Sequence, residues 1–357
     1  MKLTNASRIL TAGLSRRAFV GASLASAATL VLAGCNSGSG SADGTADASS
    51  GSKAASGEKT KITFCLDYTP NTNHTGIYVA QNKGFFADEG LEVEIVQPAD
   101  GTAEGAIGTG QAQLGVSYQD YLAAAYDAGN TGLTAVAAVI QHNTSGIMSR
   151  AEDGITHAAL MEDHVYTTWD MAVEQATIKQ VMTTDGGDFS KLKMVPFTVD
   201  DEVQGLKANM FDCVWVYEGW AVQNAAVQDY PVNYFSFKDM DDVFDFYTPV
   251  LAANNDFMKS NPDAVKAFLR AAKKGYEFAV EHPEDAAQIL CDEVPELDSA
   301  LVEASAKYLA DQYTADASSW GVIDGKRWAA YFQWLNDNDL VENKLDVNAG
   351  FDTSYLA

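Results

Sequence analysis

The sequence predicts an α/β protein built from two lobes that enclose a cleft. Short apolar runs typical of strands alternate with helical runs between residues 61 and 252, which favours largely parallel sheets covered by helices. After Asn261 the chain reads mostly as helix, to about residue 340. Two short segments, 149–154 and 248–255, have the composition of crossings between lobes. Two crossings predict a hinge with the cleft beside it.

The alternation can be resolved into separate elements. Strands are predicted at 61–67, 92–96, 113–117, 135–140, 164–168, 193–199, 211–217, 232–236 and 248–252. Helices are predicted at 74–83, 102–110, 119–128, 170–183, 201–208 and 219–228. A later helix begins at Pro262 with Asn261 as its N-cap, since proline favours the first helical position. The predicted first lobe is 60–150 plus 255–357, and the second lobe is 151–254 including the hinge crossings.

The first 59 residues predict export and a lipid anchor. Arg16 and Arg17 precede an apolar, small-residue run at 19–33, which is too short for a membrane span and typical of a signal peptide. The run ends in Leu-Ala-Gly-Cys, which resembles a bacterial lipobox with Cys35 as the lipidated residue. We therefore predict a signal peptide at 1–34, with the Tat or Sec route left open. Residues 35–59 are rich in Ser, Gly and Ala and predict a flexible tether.

Charge and cysteine content exclude several classes of function. The formal net charge is −26, and the predicted signal peptide contributes only basic residues, so the exported part is more acidic still. Such a surface repels nucleic acid and anionic lipid headgroups. Beyond Cys35 the chain has Cys65, Cys213 and Cys291, which are far apart and show no metal-ligand spacing. We predict buried thiols, no metal and no cofactor; a disulfide stays open.

Polar and aromatic residues recur where predicted strands end. Tyr68, Asn71 and His74 follow the first strand, and the pairs Tyr118–Gln119 and Tyr217–Glu218 follow two later ones. Tyr166, Trp169 and Asp170 form a further turn of this kind. Because ligands of α/β proteins bind at the carboxyl ends of strands, these residues predict a site for a small, flat, polar molecule. Aromatic faces would stack on the molecule while amide, imidazole and carboxylate groups orient it.

Several segments, in order, resemble one known family. "LDYTPNTNHTGIYVAQNKGFF", "GVSYQDYL", "QHNTSG", "YTTWD" and "YEGW", followed by the helices from "NPDAVKAFLRAAKK", resemble the SsuA/NMT-like group of type 2 periplasmic binding proteins. Within that group the resemblance is strongest to binding proteins for thiamine pyrimidine precursors, and it covers nearly all of 60–340. Where many relatives have Leu-Asp-Trp, this chain has Leu66-Asp67-Tyr68, a smaller stacking surface.

The resemblance implies a type 2 periplasmic-binding-protein fold and a receptor role in an ABC importer. The ligand would be a hydroxymethyl- or formylaminomethyl-aminopyrimidine, and the partners would be a permease and its ATPase, with the receptor monomeric and lipid-anchored outside the cytoplasmic membrane. Glu218 would accept the amino N–H of the ring. Asn143, Thr144 and Ser145 would join Asn71 and His74 in binding the substituent. Trp220 of "YEGW" would complete the ligand-binding set.

Other functions remain open at the level of sequence. Relatives in the group carry riboflavin, sulfonates or other small solutes, and a surface sensor without a transporter is also compatible. An enzyme would need a nucleophile and a base, and the sequence contains no GxGxxG, HExxH or GxSxG motif. Another branch of the superfamily makes the thiamine pyrimidine with a Cys-Cys-Cys-Phe-Cys pentapeptide, which this chain lacks. Asp67 with His74 is the one base–orienter pair that the residues suggest, and no catalytic residue is predicted.

Overall fold

A computed structural model describes residues 59–98, 102–197 and 201–356. The predicted signal peptide, Cys35 and nearly all of the tether lie outside these residues. Within them the strands are β1 Thr60–Cys65, β2 Leu91–Val96, β3 Leu114–Ser117, β4 Leu133–Ala138, β5 Ser145–Arg150, β6 Val165–Thr168, β7 Lys193–Pro196, β8 Cys213–Tyr217, β9 Val232–Ser236 and β10 Val250–Asn254.

Helices occupy most of the remaining chain. They are α1 Thr75–Asn82, α2 Phe85–Asp88, α3 Ala103–Gly108, α4 Gln119–Asp127, α5 Ala172–Thr184, α6 Glu202–Lys207, α7 Gln223–Val227, α8 Asn255–Ser260, α9 Pro262–Glu281, α10 Pro283–Glu293, α11 Ser299–Thr314 and α12 Gly325–Asp337. A π-helical turn, Glu218–Val222, precedes α7. No helix among the described residues is long and apolar enough to cross a membrane.

The strands form two five-stranded sheets of the same design. The first has the order β2-β1-β3-β10-β4 and the second the order β7-β6-β8-β5-β9. In each sheet the first three strands are parallel, and the fourth, β10 or β5, runs antiparallel to both of its neighbours. The predicted α/β class with two lobes is confirmed. The parallel pairing holds for three strands of each sheet, and the fourth strand is the exception.

The two antiparallel strands place the lobe boundaries at different residues from those predicted. β5 was not predicted as a strand and was assigned to the first lobe, yet it pairs with β8 and β9 of the second sheet. β10 was assigned to the second lobe, yet it pairs with β3 and β4 of the first. The chain therefore passes between sheets at 139–144 and 237–249, earlier than predicted. Each crossing leads directly into the fourth strand of the sheet that the chain enters.

The sequence of β5 hides its role because Ser145, Gly146 and Ser149 resemble loop residues. Gly146 is required by close packing: a Cβ there would lie 2.2 Å from the carbonyl oxygen of Phe235. Every residue of β5 is buried, so neither face shows the polar alternation that marks a half-exposed strand. Strand pairing across both edges, rather than local propensity, makes this segment extended.

Helices α1 and α9 fix the turn that follows β1. Gly76 of α1 lies against the ring of Tyr276, and a Cβ at Gly275 of α9 would lie 1.9 Å from the carbonyl oxygen of Gly76. The Tyr276 hydroxyl donates to the carbonyl of Asn73 at 2.8 Å. The close approach of these helices therefore holds the segment between β1 and α1 in place.

Two helices of the carboxyl-terminal segment contact the second sheet's lobe. Trp334 of α12 donates its Nε1–H to Gln180 of α5 at 2.6 Å, and its ring packs edge-on against Phe244. α11 contacts the π-helical turn, as described below. One core cluster accordingly includes buried side chains of both lobes, among them Leu122, Tyr166, Trp215 and Trp328.

The cysteines of the described residues are free thiols. Cys65 and Cys213 are buried, as predicted, and Cys291 is half-buried. Burial raises the pKa of Cys65 to about 11, with Glu104 and Asp67 adding to the effect. The thiol form is therefore strongly favoured, which suits a packing role.

Candidate functional site

Asp67, at the end of β1, joins a histidine and a tyrosine from two other elements. Its Oδ1 lies 2.6 Å from Nε2 of His74, and its Oδ2 accepts the hydroxyl of Tyr118. The backbone N–H of Asn71 donates to His74 Nδ1 at 3.1 Å, so Nε2 carries the proton that Asp67 accepts. Burial alone would raise the pKa of Asp67, but the hydrogen bonds from His74 and Tyr118 outweigh it and lower the pKa.

These hydrogen bonds give His74 and Asn71 a structural role in the turn. His74 has no exposed surface, and Asn71 Oδ1 caps the short turn by accepting the N–H of Asn73 at 2.9 Å. Tyr68, by contrast, is 68% exposed. His74 is therefore a structural residue of the turn, which differs from the prediction. Asn71 caps the turn but is partly exposed and stays a predicted contact, and Tyr68 is the side chain that the turn presents to solvent.

The turn after β3 carries a pair of tyrosines. Tyr118 packs edge-on against Tyr121 of α4, with ring centroids 5.1 Å apart. Gln119 lies between the lobes with no exposed surface: its Nε2 donates to the carbonyl of Trp328 at 2.8 Å, and its Oε1 accepts the N–H of Tyr247 at 3.0 Å. Gln119 thus braces the hinge instead of facing the cleft, which differs from the prediction.

The second lobe contributes a wall of three aromatic side chains. Tyr217 ends β8 and is 38% exposed; Trp215, two residues earlier, lies on the same face of the sheet. Trp169 packs against Trp215 at 5.9 Å and remains 47% exposed. Ser145 of β5 is paired directly with Tyr217 and therefore shares this face.

Tyr217 reaches towards the first lobe. Burial and the nearby carboxylates of Asp120 and Asp67 all raise its pKa. Tyr118 in turn has its pKa raised by burial, by Asp67 and by Tyr217. Because Coulombic effects weaken with distance, Tyr217 lies on the side of the second lobe that faces Asp67 and Tyr118. Side chains from the two sheets, far apart in sequence, therefore converge in the space between the lobes.

Glu174 holds the turn that presents Trp169. This buried carboxylate accepts the hydroxyl of Tyr166 at 2.6 Å, the hydroxyl of Thr168 at 2.8 Å and the backbone N–H of Trp169 at 3.0 Å. Tyr166 has no exposed surface, so its predicted place in the cleft is wrong: it packs inside the second lobe. Asp170 adopts a left-handed backbone and accepts an N–H from Gln175 at 2.9 Å.

The first crossing is stabilised by internal bonds. Asn143 has no exposed surface; its Nδ2 donates to the carbonyl of Phe244 at 2.7 Å, and its Oδ1 accepts the N–H of Ser145 at 2.8 Å. The carbonyl of Thr144 accepts the N–H of Glu218. Asn143 is therefore a hinge residue rather than the predicted ligand contact. Ser145 keeps a buried Oγ that has no hydrogen-bond partner.

A hydrogen-bonded clasp joins α11 to the π-helical turn. The hydroxyl of Tyr308 donates to Oε2 of Glu218 at 2.7 Å, and the carbonyl of Gly219 accepts the hydroxyl of Ser305. Ser305 Oγ also lies 2.6 Å from Thr72 Oγ1 of the turn after β1. Glu218 thus stands at the meeting of the two lobes, and Trp220, in the same turn, is half-buried.

Several residues of this region were not predicted from the sequence. Asp120, Tyr121 and Trp215 lie next to predicted residues, and alternation along β8 could have indicated Trp215. Ser305, Tyr308 and Glu174 carry no such signal, because their contacts depend on how helices pack against the sheets. Helix packing alone brings them to the site.

Two cavities adjoin the region between the lobes. One, of about 330 Å³, is lined by α4, the start of α5 and the segment around the end of α12; its lining includes Asp120, Val173 and Leu335. The other, of about 560 Å³, lies at the crossings and includes His142, Asp245 and Arg327. There His142 Nδ1 lies 2.7 Å from Asp245 and its Nε2 lies 2.9 Å from Asp316.

The types of side chain at the site determine whether it could bind a metal ion. Across 59–98, 102–197 and 201–356, no group of three or more His, Cys, Asp or Glu side chains is placed to hold a metal ion. The arrangement instead offers aromatic faces, hydroxyls and carboxylates, which suit an uncharged or cationic organic ligand.

A family model described as NMT1/THI5 like matches residues 71–286, more than half of the chain. The chain therefore belongs to the NMT1/THI5-like family. The predicted SsuA/NMT-like membership is confirmed. The matched region begins in the turn after β1 and ends in α10, so it includes Tyr118, Trp169 and Tyr217 but not Asp67, Tyr68 or α11.

Two relatives illustrate the range of this family. A formylaminopyrimidine-binding protein of Halalkalibacterium halodurans is 26% identical over 302 residues, covering 81% of this chain and 89% of that protein. The 4-amino-5-hydroxymethyl-2-methylpyrimidine phosphate synthase THI11 of Saccharomyces cerevisiae is 24% identical over 252 residues, covering 68% of this chain and 73% of that protein. The chain is thus similar both to a protein named as a binding protein and to a protein named as an enzyme.

Solved structures show the fold. The periplasmic aliphatic sulphonate-binding protein SsuA from Escherichia coli superposes with a TM-score of 0.65 at 14% identity, covering 83% of this chain and 99% of that one. The predicted periplasmic-binding-protein fold is therefore confirmed. Identity this low carries no information about the ligand.

Proposed function

We propose that this protein is the exported solute-binding component of an ABC-type importer. Its two lobes would close on one ligand, and contacts to both lobes would stabilise the closed form that docks on the permease. One observation carries the proposal: Ser305 Oγ lies 2.6 Å from Thr72 Oγ1 of the first lobe and donates to the carbonyl of Gly219 of the second, so the turns that carry Tyr68 and Tyr217 lie side by side at one cleft. The permease and its ATPase are the expected partners of a monomeric receptor.

The ligand that this cleft suits best is a thiamine pyrimidine precursor, a hydroxymethyl- or formylaminomethyl-aminopyrimidine. Tyr68, Trp169 and Tyr217 are exposed aromatic side chains able to stack on a flat ring. Carboxylates at Glu218 and Asp120 are acceptors for ring amino N–H groups. The name of the Halalkalibacterium relative points to the same ligand class.

Charge argues against an anionic ligand such as a sulfonate. After burial, the charged groups that raise the pKa of Tyr217 are the carboxylates of Asp120 and Asp67. A sulfonate in that position would meet two carboxylates, which is unfavourable. Riboflavin, which is neutral, stays the stronger alternative within the same receptor role.

Calorimetry on the purified protein tests the ligand class. We expect saturable binding of 4-amino-5-hydroxymethyl-2-methylpyrimidine or its formylaminomethyl counterpart, with riboflavin and taurine at least tenfold weaker. Thermal shift under the same conditions should rank the compounds in the same order. If no aromatic heterocycle binds, the pyrimidine assignment is wrong; if riboflavin or taurine binds most tightly, the receptor role stands with a different ligand.

We also propose that the protein is held at the membrane by a lipid on Cys35 and reaches its permease through the 35–59 tether. A signal peptide at 1–34 would direct export. Mass spectrometry of protein extracted from membranes tests this: the amino-terminal peptide should begin at Cys35 and carry a diacylglyceryl group. A soluble product beginning elsewhere would rule out the anchor.

A pyrimidine-modifying enzyme is the second candidate, favoured by the yeast relative's name and by the Asp67–His74 contact. Three observations weigh against it. His74 has no exposed surface, both of its ring nitrogens are bonded within the protein, and Asp67 is also bonded to Tyr118. No face of this pair is left for a substrate proton. A changed ligand mass after incubation with the protein would favour the enzyme.

A further inference from the structure

Asp120 is a half-buried residue whose carboxylate has no salt-bridge partner among the residues that the structure describes. Its Oδ1 is inaccessible to solvent and has no hydrogen-bond partner within the protein. Burial is the main cause that raises its pKa to about 6, and Glu104 adds to the effect. A buried, unpaired acceptor is unfavourable, so it is retained where something else completes it.

The surroundings of Asp120 belong to both lobes. The cavity of about 330 Å³ that it lines includes Val173 of the second lobe and Leu335 of α12, and no Lys, Arg or His side chain. The carboxylate also acts on Tyr217 of the second lobe and on Tyr331 of α12, raising the pKa of each. Asp120 therefore faces the space between the lobes, where a bound ligand would lie.

The facing strands carry two further unsatisfied groups. Ser145 has no exposed surface and Trp215 is 8% exposed, yet neither Ser145 Oγ nor Trp215 Nε1 has a hydrogen-bond partner. The strand register places Ser145 beside Tyr217 and on the same face as Trp215. Three polar groups therefore lack a partner: an acceptor on the first lobe, and two donors on the face of the second sheet that also carries Tyr217. Unmatched groups on both walls are what a ligand with its own donors and acceptors would satisfy.

We propose that Asp120 is the specificity-determining carboxylate of the site, accepting the amino N–H edge of the ligand, with the Trp215 N–H and the Ser145 hydroxyl bonding to the ligand from the opposite wall. This proposal rests on the proposed function and names the residue that selects amino over oxo rings. An oxo ring would point an oxygen at Asp120 and leave the carboxylate unmatched, so the amino ring is preferred.

Calorimetry with two rings tests the assignment. The probes are 4-amino-5-hydroxymethyl-2-methylpyrimidine and its 4-oxo counterpart, measured with wild type, Asp120→Asn and Asp256→Asn. Asp256 is an acid in the first turn of α8 with a 94% exposed side chain, so its replacement removes the same charge far from the cleft. We expect wild type to prefer the amino ring by at least tenfold, Asp120→Asn to lose at least tenfold for that ring and most of the preference, and Asp256→Asn to stay within twofold.

The possible results distinguish a failure of the Asp120 assignment from a failure of the proposed function. Wild type that binds the amino ring while Asp120→Asn binds it equally well, with the preference intact, overturns the role of Asp120 and leaves the receptor function standing. Wild type that binds neither ring overturns the pyrimidine function and this assignment with it. Thermal melts of all three proteins identify a variant that fails to fold, and in that case Asp120→Glu, which keeps the acceptor, must retain the preference for the amino ring.

Discussion

The turns after β3 and β8 look alike in sequence and behave differently in the structure. Each reads Tyr followed by a long polar residue at the start of a helix, Tyr118–Gln119 in one lobe and Tyr217–Glu218 in the other. Tyr118 is bonded to Asp67, whereas Tyr217 stands 38% exposed. Gln119 is locked between Tyr247 and Trp328, whereas Glu218 reaches across to Tyr308.

The difference follows from the helix that comes next. α4 is a regular α-helix, and its second residue, Asp120, lines a cavity that residues of both lobes border. The turn after β8 is π-helical, which changes the direction of its side chains relative to an α-helix. Equivalent positions in the two turns therefore have different roles: Gln119 stabilises the hinge, whereas Tyr217 lines the cleft. In the turn after β3 the carboxylate without a partner is Asp120, one residue after the position that Glu218 occupies in the other turn.

The largest effect on stability should come from Gln119. Replacing it with Ala leaves the Trp328 carbonyl and the Tyr247 N–H without partners in a buried region, and each such group costs about 1–3 kcal/mol. We expect Gln119→Ala to lower the free energy of unfolding by about 2–4 kcal/mol in a urea titration. The exposed Gln288→Ala is the control and should change it by less than about 0.5 kcal/mol. Equal effects at the two positions would show that Gln119 is not a brace.

Tyr217 should matter mainly for binding. Tyr217→Ala removes an aromatic wall, whose burial against a ligand contributes about 1.5–3 kcal/mol, so affinity for the amino ring should fall roughly 10- to 100-fold. Tyr217→Phe keeps the ring and should stay within about threefold. The matched Tyr118→Phe change, in the other turn, should affect melting temperature more than affinity. Calorimetry and thermal melts on all three variants give the comparison, and the reverse pattern would contradict it.

Asp120 should produce a pH-dependent change in stability. Its folded pKa of about 6 lies above the ordinary 3.8, so the folded state holds the proton more tightly than the unfolded state does. This group therefore lowers stability as the pH rises from about 4 to about 6, by on the order of 1–3 kcal/mol. The melting temperature of Asp120→Asn relative to wild type should become more positive across that window, while Asp256→Asn shows no such trend. Parallel curves for Asp120→Asn and wild type would show that the carboxylate is already compensated.

The clasp at Glu218 should give the smallest effect. Tyr308→Phe removes one hydrogen bond between the lobes, worth about 0.5–1.5 kcal/mol. We expect a small loss of unfolding free energy and a slightly larger radius of gyration of the ligand-free protein in X-ray scattering. Tyr355→Phe, whose hydroxyl contacts Met258 within the first lobe, is the matched control and should leave the radius unchanged. A radius unaffected by Tyr308→Phe would mean that the clasp does not hold the lobes together.

Sequence reasoning predicted the elements well and the hinge less well. The alternation of apolar strands and helices predicted nine of the ten strands because most are short, apolar and bounded by turns. β5 was missed, since Ser145, Gly146 and Ser149 have loop-like propensity and only pairing with β8 and β9 makes them extended. Of the predicted site residues, Tyr68, Trp169 and Tyr217 are exposed and stay predicted ligand contacts. His74, Asn143 and Tyr166 are buried and hydrogen-bonded within the protein, which the sequence did not indicate.

The sequence by itself determined the α/β class and the gathering of aromatic and polar residues at strand ends, because strand periodicity and turn chemistry are local properties of the chain. The family was indicated by the resemblance of several segments to known relatives. Only the tertiary structure decided which of those residues lack a partner within the protein and can contact a ligand. Gln119 and Asp120 are adjacent, yet the packing of α12 and the crossing at 237–249 supply partners for one and none for the other. Whether a polar side chain braces the protein or awaits a ligand depends on groups hundreds of residues away, and these are brought near only when the lobes assemble.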